Sequence, residues 1–285
     1  TFNAAQVLNR GVEVVTGWKG AVKGIRYSVN ANATTIHNET LKVSGTGGAD
    51  EQLPGLFNGR AVTRTVPGAP IGSFYGYNVI GLFQNAAELS NYPRTSQTDV
   101  GDLKFEDINR DGVINGNDRV NLGSPIPTLM YGLSSTVEYR GFDLAFDFQG
   151  QYGNKIFNAK ETVRPDPYNF EQRYFSFWNG EGTSNSEPRP SNGGINYEPS
   201  SRYIFDGSFI RLRNLSIGYT LPQSLSNRLS VKSVRVYLRA TNLFTISSFP
   251  GYAPDVVGGD PTLNALDFAS YPVPRVFSTG LNLTF

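Results

Sequence analysis

The chain has no cysteine, one histidine and no long apolar stretch, and each of these absences excludes a class of protein. Without cysteine, neither a disulfide framework nor a thiolate nucleophile or metal ligand is available. The single histidine, His37, cannot build a zinc site, which takes several nitrogen or sulfur ligands. A helix that spans a membrane needs about 20 mostly apolar residues, and the sequence has no such run. A net charge of +1 indicates neither nucleic-acid binding nor a polybasic membrane anchor.

Motifs that indicate catalysis are missing as well. The sequence has no nucleophile elbow, no Walker phosphate loop and no zinc-binding motif. Asp143 and Asp147 share one face of a predicted strand and superficially resemble the carboxylate pair of a glycosidase. We interpret them as polar-face residues of that strand. The sequence therefore predicts a protein that is not an enzyme.

Aromatic residues, glycine and two-residue alternation dominate what the sequence does contain. Aromatic residues make up 13% of the chain, and glycine occurs 31 times. Along residues 276–285, Phe277, Leu281, Leu283 and Phe285 fall on one face, while small and polar residues fall on the other. This period of two is that of a β-strand with one apolar and one polar face.

The same alternation recurs in seven segments, which we predict to be strands: residues 11–18, 25–34, 129–140, 142–152, 209–221, 234–240 and 276–285. In the fifth segment the alternation slips by one residue, which predicts a β-bulge near Asn214. Most segments have the length of a tilted membrane strand, about 9–11 residues, which exceeds the usual strand of a soluble protein. The predicted fold class is therefore all-β, a transmembrane antiparallel β-barrel.

The connections between these segments alternate between short and long. Short connections are predicted at residues 19–24, at Gly141 and at residues 222–233, and long ones at 36–128, 153–208 and 246–275. Outer-membrane barrels have short periplasmic turns and long extracellular loops. The pattern thus predicts extracellular long loops and a periplasmic C-terminus. Because single-chain bacterial barrels have even strand numbers, the odd number of segments predicts that earlier strands of the barrel are missing.

One long loop contains a pattern that fits a calcium-binding loop of the EF-hand type. Its ligand positions are occupied by Asp107, Asn109, Asp111, Val113 (through its carbonyl), Asn115 and Asp118, and Gly112 stands at the turn position. Calcium prefers six or more oxygen ligands, which these residues supply. Ile114 is expected to anchor the loop inward. The last position has Asp where an EF-hand has Glu, so an Asx-rich turn without an ion remains the alternative.

A cluster of aromatic residues in the next long loop is a candidate contact surface. It consists of Tyr168, Phe170, Tyr174, Phe175, Phe177 and Trp178. Exposed aromatic side chains in an outer loop favour sugar stacking or protein docking. The alternative interpretation is a loop that packs its aromatic residues against itself.

Several motifs, in this order, resemble a known family. They are residues 72–84 (GSFYGYNVIGLFQ), 101–119 (GDLKFEDINRDGVINGNDR), 123–127 (GSPIP), 139–144 (YRGFDL), 148–154 (FQGQYGN), 211–219 (RLRNLSIGY), 237–244 and 249–252 (FPGY). Together they resemble the C-terminal third of SusC/RagA-type TonB-dependent outer-membrane transporters, over nearly the whole chain.

The resemblance implies a barrel of about 22 strands with a plugged lumen. Residues 1–285 would form its C-terminal portion, without the plug domain and the TonB-contacting segment. It also implies active import of bulky nutrients, either glycans or peptides, with a SusD-like surface lipoprotein and the TonB complex as partners. Phe285 would be the residue that the barrel-assembly machinery recognises.

Two other functions remain open from the sequence. The same strands fit a passive outer-membrane pore or an adhesin. A secreted calcium-binding β-domain that recognises sugars is the third possibility, since its loop and aromatic residues would be the same.

Overall fold

The computed structural model describes residues 5–44, 52–160, 175–256, 258, 260–268 and 270–285. In chain order its strands are β1 (Ala5–Arg10), β2 (Glu13–Val22), β3 (Ile25–Thr35), β4 (His37–Val43), β5 (Leu53–Phe57), β6 (Arg60–Thr65), β7 (Ser73–Tyr77), β8 (Val79–Leu82), β9 (Leu103–Phe105), β10 (Arg119–Gly123), β11 (Leu129–Tyr139), β12 (Phe142–Tyr152), β13 (Lys155–Asn158), β14 (Ile204–Asp206), β15 (Phe209–Thr220), β16 (Ser233–Ser247), β17 (Leu266–Asp267) and β18 (Val276–Thr284). Two short helices, α1 (Ala86–Asn91) and α2 (Gln223–Arg228), lie in connections. None of the helices in these described ranges has the length and apolar character that crossing a membrane requires.

Seven long strands form one continuous antiparallel sheet in the order β18–β16–β15–β12–β11–β3–β2. They are the seven strands that the sequence predicts, and each pairs with the next of these seven in chain order. Two strands differ from the prediction by more than one residue. Strand β2 begins at Glu13, two residues later than predicted, continues through Lys19, which we assigned to a turn, and ends at Val22. Strand β16 runs to Ser247, well beyond the predicted end at Ala240, because its second half pairs with the first half of β15.

The bulge expected near Asn214 lies between Leu212 and Asn214 of β15. Relative to β12, Arg213 is the extra residue, because Asp147 and Phe148 pair with Asn214 and Leu212. Relative to β16, the single residue Arg213 faces two residues, Asn242 and Leu243, so the register shifts there as well. Beyond the bulge, Leu212 again lies opposite Phe148 on one side and opposite Phe244 on the other. The inserted residue thus corrects the phase of the alternation and keeps apolar side chains on one face along the full strand.

One face of the sheet is apolar from edge to edge. In the centre, Phe146 lies opposite Ser135 and Leu215, while Phe142 contacts Tyr219 with ring centroids 4.5 Å apart. Many large side chains of this face are exposed, among them Trp18 at 68% and Leu238 at 63%. A sheet face this apolar and this exposed needs an apolar surrounding.

The opposite face of the sheet is polar and carries paired charges. Arg235 donates two hydrogen bonds to Asp143, at 2.9 and 2.6 Å. Arg26 donates to Glu138 at 3.0 and 2.5 Å. Asp147 accepts a hydrogen bond of 3.1 Å from the Asn214 amide. Asp143 and Asp147 therefore serve the polar face, as the sequence indicated.

Short turns join the strands at one end of the sheet. The β2–β3 turn has Lys23 at φ 47° and Gly24 at φ 84°, and the β11–β12 turn has Arg140 at φ 47° and Gly141 at φ 84°. Two consecutive residues with positive φ are typical of type I′ hairpin turns, which match the twist of paired strands. The third short connection contains helix α2.

The long connections at the other end are folded rather than loose, which differs from their description as loops. In the described residues they form, together with the N-terminal strand β1, four small sheets, in the orders β1–β4, β10–β7–β6–β5, β8–β9 and β14–β13–β17. Two apolar cores join them. Core one comprises Val62, Phe74, Ile156, Phe157, Ala159, Tyr203, Phe249 and Ala265, and core two comprises Tyr77, Leu82, Leu103, Phe105, Ile114 and Ile195. We refer to this assembly, made of strand β1 and the described residues within 36–128, 153–208 and 248–275, as the loop domain.

The two faces of the sheet predict opposite responses to an added charge. Phe146→Arg places a cation in mid-strand on the apolar face and should cost about 2–4 kcal/mol in the free energy of unfolding of the protein from lipid vesicles. Ser134→Arg is the matched control, because Ser134 is exposed on the polar face opposite Asp147. It should cost much less. Equal losses, measured by denaturant titration, would contradict the assignment of the apolar face to hydrocarbon.

Candidate functional site

The calcium-like loop is built from Asx turns that bring its side chains inward. The Asp107 carboxylate accepts from the Gly112 amide at 2.9 Å, and the Asp111 carboxylate accepts from the Val113 amide at 2.9 Å. The Asn109 side chain donates to Asp111 at 2.8 Å and accepts from its backbone N–H at 3.0 Å. The tight turn falls at Gly112, whose φ of 83° suits glycine.

The residue that ends the loop, Asp118, is fully buried and is satisfied by backbone groups. Its two carboxylate oxygens accept from the amides of Ile108, at 3.0 Å, and Asn115, at 2.8 Å. Residues Gly116–Asp118 form a 3₁₀ turn with Asn115 as its N-cap. Asp118 thus closes the loop by hydrogen bonding. In the described part of the chain, no three His, Cys, Asp or Glu side chains converge on a common metal position.

Two further observations concern the interior of this loop. Ile114 is 5% exposed and belongs to core two, so the inward anchor expected from the sequence is confirmed. One carboxylate oxygen of Asp107, Oδ1, is buried and has no hydrogen-bond partner. A buried carboxylate oxygen without a donor is costly, and a bound cation would satisfy it.

Half of the predicted aromatic surface lies outside the described residues, namely Tyr168, Phe170 and Tyr174. The rest divides into two kinds. Phe175 and Phe177 are 85% and 36% exposed. Trp178 packs against core two, and its indole N–H donates to the Gln84 side chain at 3.1 Å. Trp178 therefore belongs to the packing of the loop domain, whereas Phe175 and Phe177 are available for contacts.

A buried polar cluster, which the sequence did not predict, joins two of the long connections. Asp102 is 1% exposed and accepts from Arg189 Nε at 2.8 Å and Nη2 at 3.2 Å. The Asn196 amide donates to the same carboxylate at 2.9 Å, and the Asp99 backbone N–H donates at 2.8 Å. The hydrogen bond to Asp102 raises the pKa of Arg189 above its ordinary value. Because Arg189 lies 87 residues from Asp102, no local pattern could have indicated the pair.

A second charged pair ties the last long connection to the sheet. Arg211, on β15, is 4% exposed and donates to both carboxylate oxygens of Asp255, at 2.7 and 2.9 Å. Its Nε donates to Thr245 on β16 at 2.8 Å. Arg211 holds the pKa of the Asp255 carboxyl below its usual value of 3.8, chiefly through these hydrogen bonds. The pair holds Asp255, in the last long connection, against the end of β15 and β16.

Phe285 follows the last residue of β18, at the same end of the sheet as the short turns. Its side chain is 77% exposed. In the described residues it is therefore not a core residue, and its predicted role in barrel assembly stays a prediction.

Comparison with known proteins supports the fold. A chain of the RagAB peptide transporter structure superposes with a TM-score of 0.76 at 20% identity, covering 99% of this chain and 29% of that chain. The RagAB peptide importer in its open-open state gives 0.73 at 20% identity, covering 98% of this chain and 29% of that chain. The likeness defines the class of protein: the seven-stranded sheet is a section of a transmembrane antiparallel β-barrel.

Sequence relatives identify the family within this class. TonB-dependent receptor P3 of Formosa agariphila is 31% identical over 299 residues, covering 99% of this chain and 29% of that protein. TonB-dependent receptor SusC of Bacteroides thetaiotaomicron is 26% identical over 293 residues, covering 100% of this chain and 27% of that protein. No family model matches the chain. These relatives confirm the resemblance, and the chain belongs to the SusC/RagA-type TonB-dependent receptors. It spans less than a third of the length of the relatives it matches.

The Arg211–Asp255 pair predicts an acid-dependent release of the last long connection. Because the pKa of Asp255 is lowered in the folded protein, the pair contributes stability that is fully present above the unfolded pKa of about 3.9. This stability is lost as the pH falls below that value toward the folded pKa. Pepsin cleavage within residues 248–275 of the full-length receptor should therefore rise steeply below about pH 4.

The matched control is Asp255→Asn, which removes the titrating group and should be cleaved readily at every pH tested. A wild-type loop that resists pepsin equally at pH 5 and at about pH 2.5 would contradict the tether.

Proposed function

We propose that this chain forms part of the wall and the outer loops of an outer-membrane receptor that imports bulky nutrients, energised through TonB. The observation that carries the proposal is the pairing of a two-faced barrel sheet with a loop domain at one end only. A passive pore has little use for long connections packed around two cores, whereas a receptor needs a structured surface that binds its cargo before import. The family relatives, which are named as receptors, support the same function.

The topology also supports an orientation. Type I′ turns and helix α2 lie at one end of the sheet, and the loop domain lies at the other. By the rule that outer-membrane barrels have short periplasmic turns, the loop domain faces outward and Phe285 lies at the periplasmic side. Phe285 would then be accessible to the barrel-assembly machinery, which is the role that we propose for it.

The proposed partners follow from the family and the surface. We propose a SusD-like lipoprotein over the loop domain, the TonB complex acting through parts of the receptor outside this chain, and lipid against the apolar face. The cargo is an oligosaccharide or a peptide. Of the predicted aromatic cluster, the described residues Phe175 and Phe177 would contact cargo or lipoprotein, because both are exposed on the loop domain.

Uptake measurements distinguish import from the alternatives. Labelled oligosaccharides and labelled peptides are supplied to cells with the full-length receptor, without it, and with it but without TonB. We expect one of the two labels to accumulate only when both receptor and TonB are present. Accumulation that needs the receptor but not TonB would indicate a passive pore. If cells without the receptor lose their attachment to surfaces but accumulate both labels as before, the protein is an adhesin.

A second proposal concerns calcium in the loop formed by Asp107, Asn109, Asp111, Val113, Asn115 and Asp118. It is favoured by the buried, unpartnered Oδ1 of Asp107. Asn109, Asp111 and the Val113 carbonyl offer oxygens near the surface, while Asp118 keeps its backbone bonds. The ion would stiffen the loop where Ile114 attaches it to core two.

Calorimetry on chelator-treated full-length receptor tests the calcium proposal. With few free carboxylates, we expect a dissociation constant of about 10⁻⁴–10⁻³ M, the range of extracellular calcium modules. Asp107→Asn should abolish binding. Asp260→Asn is the matched control, because Asp260 forms an ordinary Asx turn with Thr262 elsewhere in the loop domain. Absence of binding at about 10 mM calcium would leave the loop as a set of Asx turns.

A further inference from the structure

Two arginines from neighbouring strands of the loop domain lie over one tyrosine ring. In the sheet β10–β7–β6–β5, Tyr75 is on β7, Arg64 is on one flanking strand and Arg119 is on the other. The Arg64 guanidinium carbon is 4.0 Å from the centroid of the Tyr75 ring, and that of Arg119 is 4.7 Å from it. We call these three residues the arginine–tyrosine cluster.

The two cations differ in how they are held. The Nη2 of Arg119 donates to the carbonyl of Ala61 and, at 3.1 Å, to the carbonyl of Tyr75, so this side chain is fixed by the sheet. Its Nε is buried and has no hydrogen-bond partner. Arg64, in contrast, has only its contact with the ring, within the part of the chain that the structure describes.

Neither cation has an acidic partner among the described residues. Two carboxylates, Asp118 and Glu198, act together with Arg119 on the neighbouring Tyr77, and both have other partners. Asp118 accepts from the amides of Ile108 and Asn115, and Glu198 pairs with Arg60 at 3.3 Å. Two positive charges therefore lie within about one Debye length of each other without a counter-charge. An anion bound between or beside them would offset their mutual repulsion.

The cluster is open to solvent on the loop domain. Arg64, Tyr75 and Arg119 are all partly exposed, and Asn121, which lies opposite Tyr75 in the register, is exposed. The Tyr75 hydroxyl has no hydrogen bond to any described residue. Guanidinium N–H groups, a phenolic hydroxyl and an amide thus stand side by side as donors to an oxygen-rich anion.

We propose that Arg64, Tyr75 and Arg119 form a binding site for an anionic oxygen group, either a carboxylate or a sulfate ester. The guanidinium groups cover the Tyr75 ring, so the ring offers little surface on which a neutral sugar can stack. The site therefore selects charge and not ring shape. On the proposed import function, on which this last step rests, the anionic group belongs to the nutrient, such as an acidic or sulfated glycan or an acidic peptide.

Three monosaccharides that differ in one group make the test specific: galacturonate, galactose 6-sulfate and galactose. Binding to the full-length receptor is measured by calorimetry at low and high salt. We expect at least one anionic sugar to bind about tenfold or more tightly than galactose, because charge-assisted hydrogen bonds are lost with the neutral sugar. Which anion binds distinguishes a carboxylate site from a sulfate site. High salt should weaken the binding.

Arg64 is the residue to change, because it has no described role in holding the sheet together. Arg64→Gln should weaken anion binding by about tenfold, and Arg64→Lys should retain part of it. Arg228→Gln removes the same charge from an exposed position in α2, at the other end of the sheet, and should change nothing. The melting temperature of each variant checks that it is folded.

Three results would overturn the inference: equal binding of galactose and both anions, unchanged binding by Arg64→Gln, or no anion binding by the wild type. Uptake by whole cells keeps this test separate from the import proposal. If the receptor binds the anion but cells show no TonB-dependent uptake, the import proposal is refuted and the anion site stands. If the receptor does not bind the anion and cells with Arg64→Gln still take up the nutrient, the anion site is refuted and the import proposal stands.

Discussion

Every barrel strand of this protein must present an apolar face to one side and a polar face to the other, without losing any backbone hydrogen bond. The rest of the structure depends on this constraint. In hydrocarbon an unpaired N–H or C=O costs several kcal/mol, so each strand has to pair on both sides along its whole length. The seven-stranded sheet meets this requirement in its interior, where each strand is paired with another strand on both sides. The polar side chains then have one face available, and their charges form ion pairs such as Arg235–Asp143.

The bulge at Arg213 shows how strictly this constraint acts. Without the extra residue, the half of β15 that begins at Phe209 would turn its apolar side chains toward the polar face. With it, Leu212 lies beside Phe148 and Phe244. The same strand also carries Arg211 to the end of the sheet, where its pair with Asp255 fixes part of the loop domain. A local correction of register thus positions a contact that belongs to the receptor surface.

The sequence allowed the prediction of the barrel strands because their signal is local. Alternation within about ten residues identifies a strand and its two faces, and chain order then supplies the pairing. The loop domain lacks such a signal. Its strands are short, and its decisive contacts join distant residues, as in Asp102–Arg189 and in the approach of Arg64 and Arg119 to Tyr75. The spacing of residues in the calcium-like loop correctly predicted that Ile114 is buried. It did not predict that the Asp118 carboxylate accepts its hydrogen bonds from backbone amides.

The fold requires that the apolar face of the sheet contacts lipid while the polar face does not. Single cysteines introduced along β12 of the full-length receptor can carry spin labels, and this chain has no cysteine of its own to interfere. Collisions with oxygen, which partitions into lipid, and with a water-soluble nickel complex are then compared in membrane vesicles. We expect high oxygen accessibility for labels at Phe142, Leu144, Phe146 and Phe148, and low oxygen accessibility for labels at Asp143, Asp147 and Gln149. Uniform accessibility along the strand, or the opposite alternation, would contradict it.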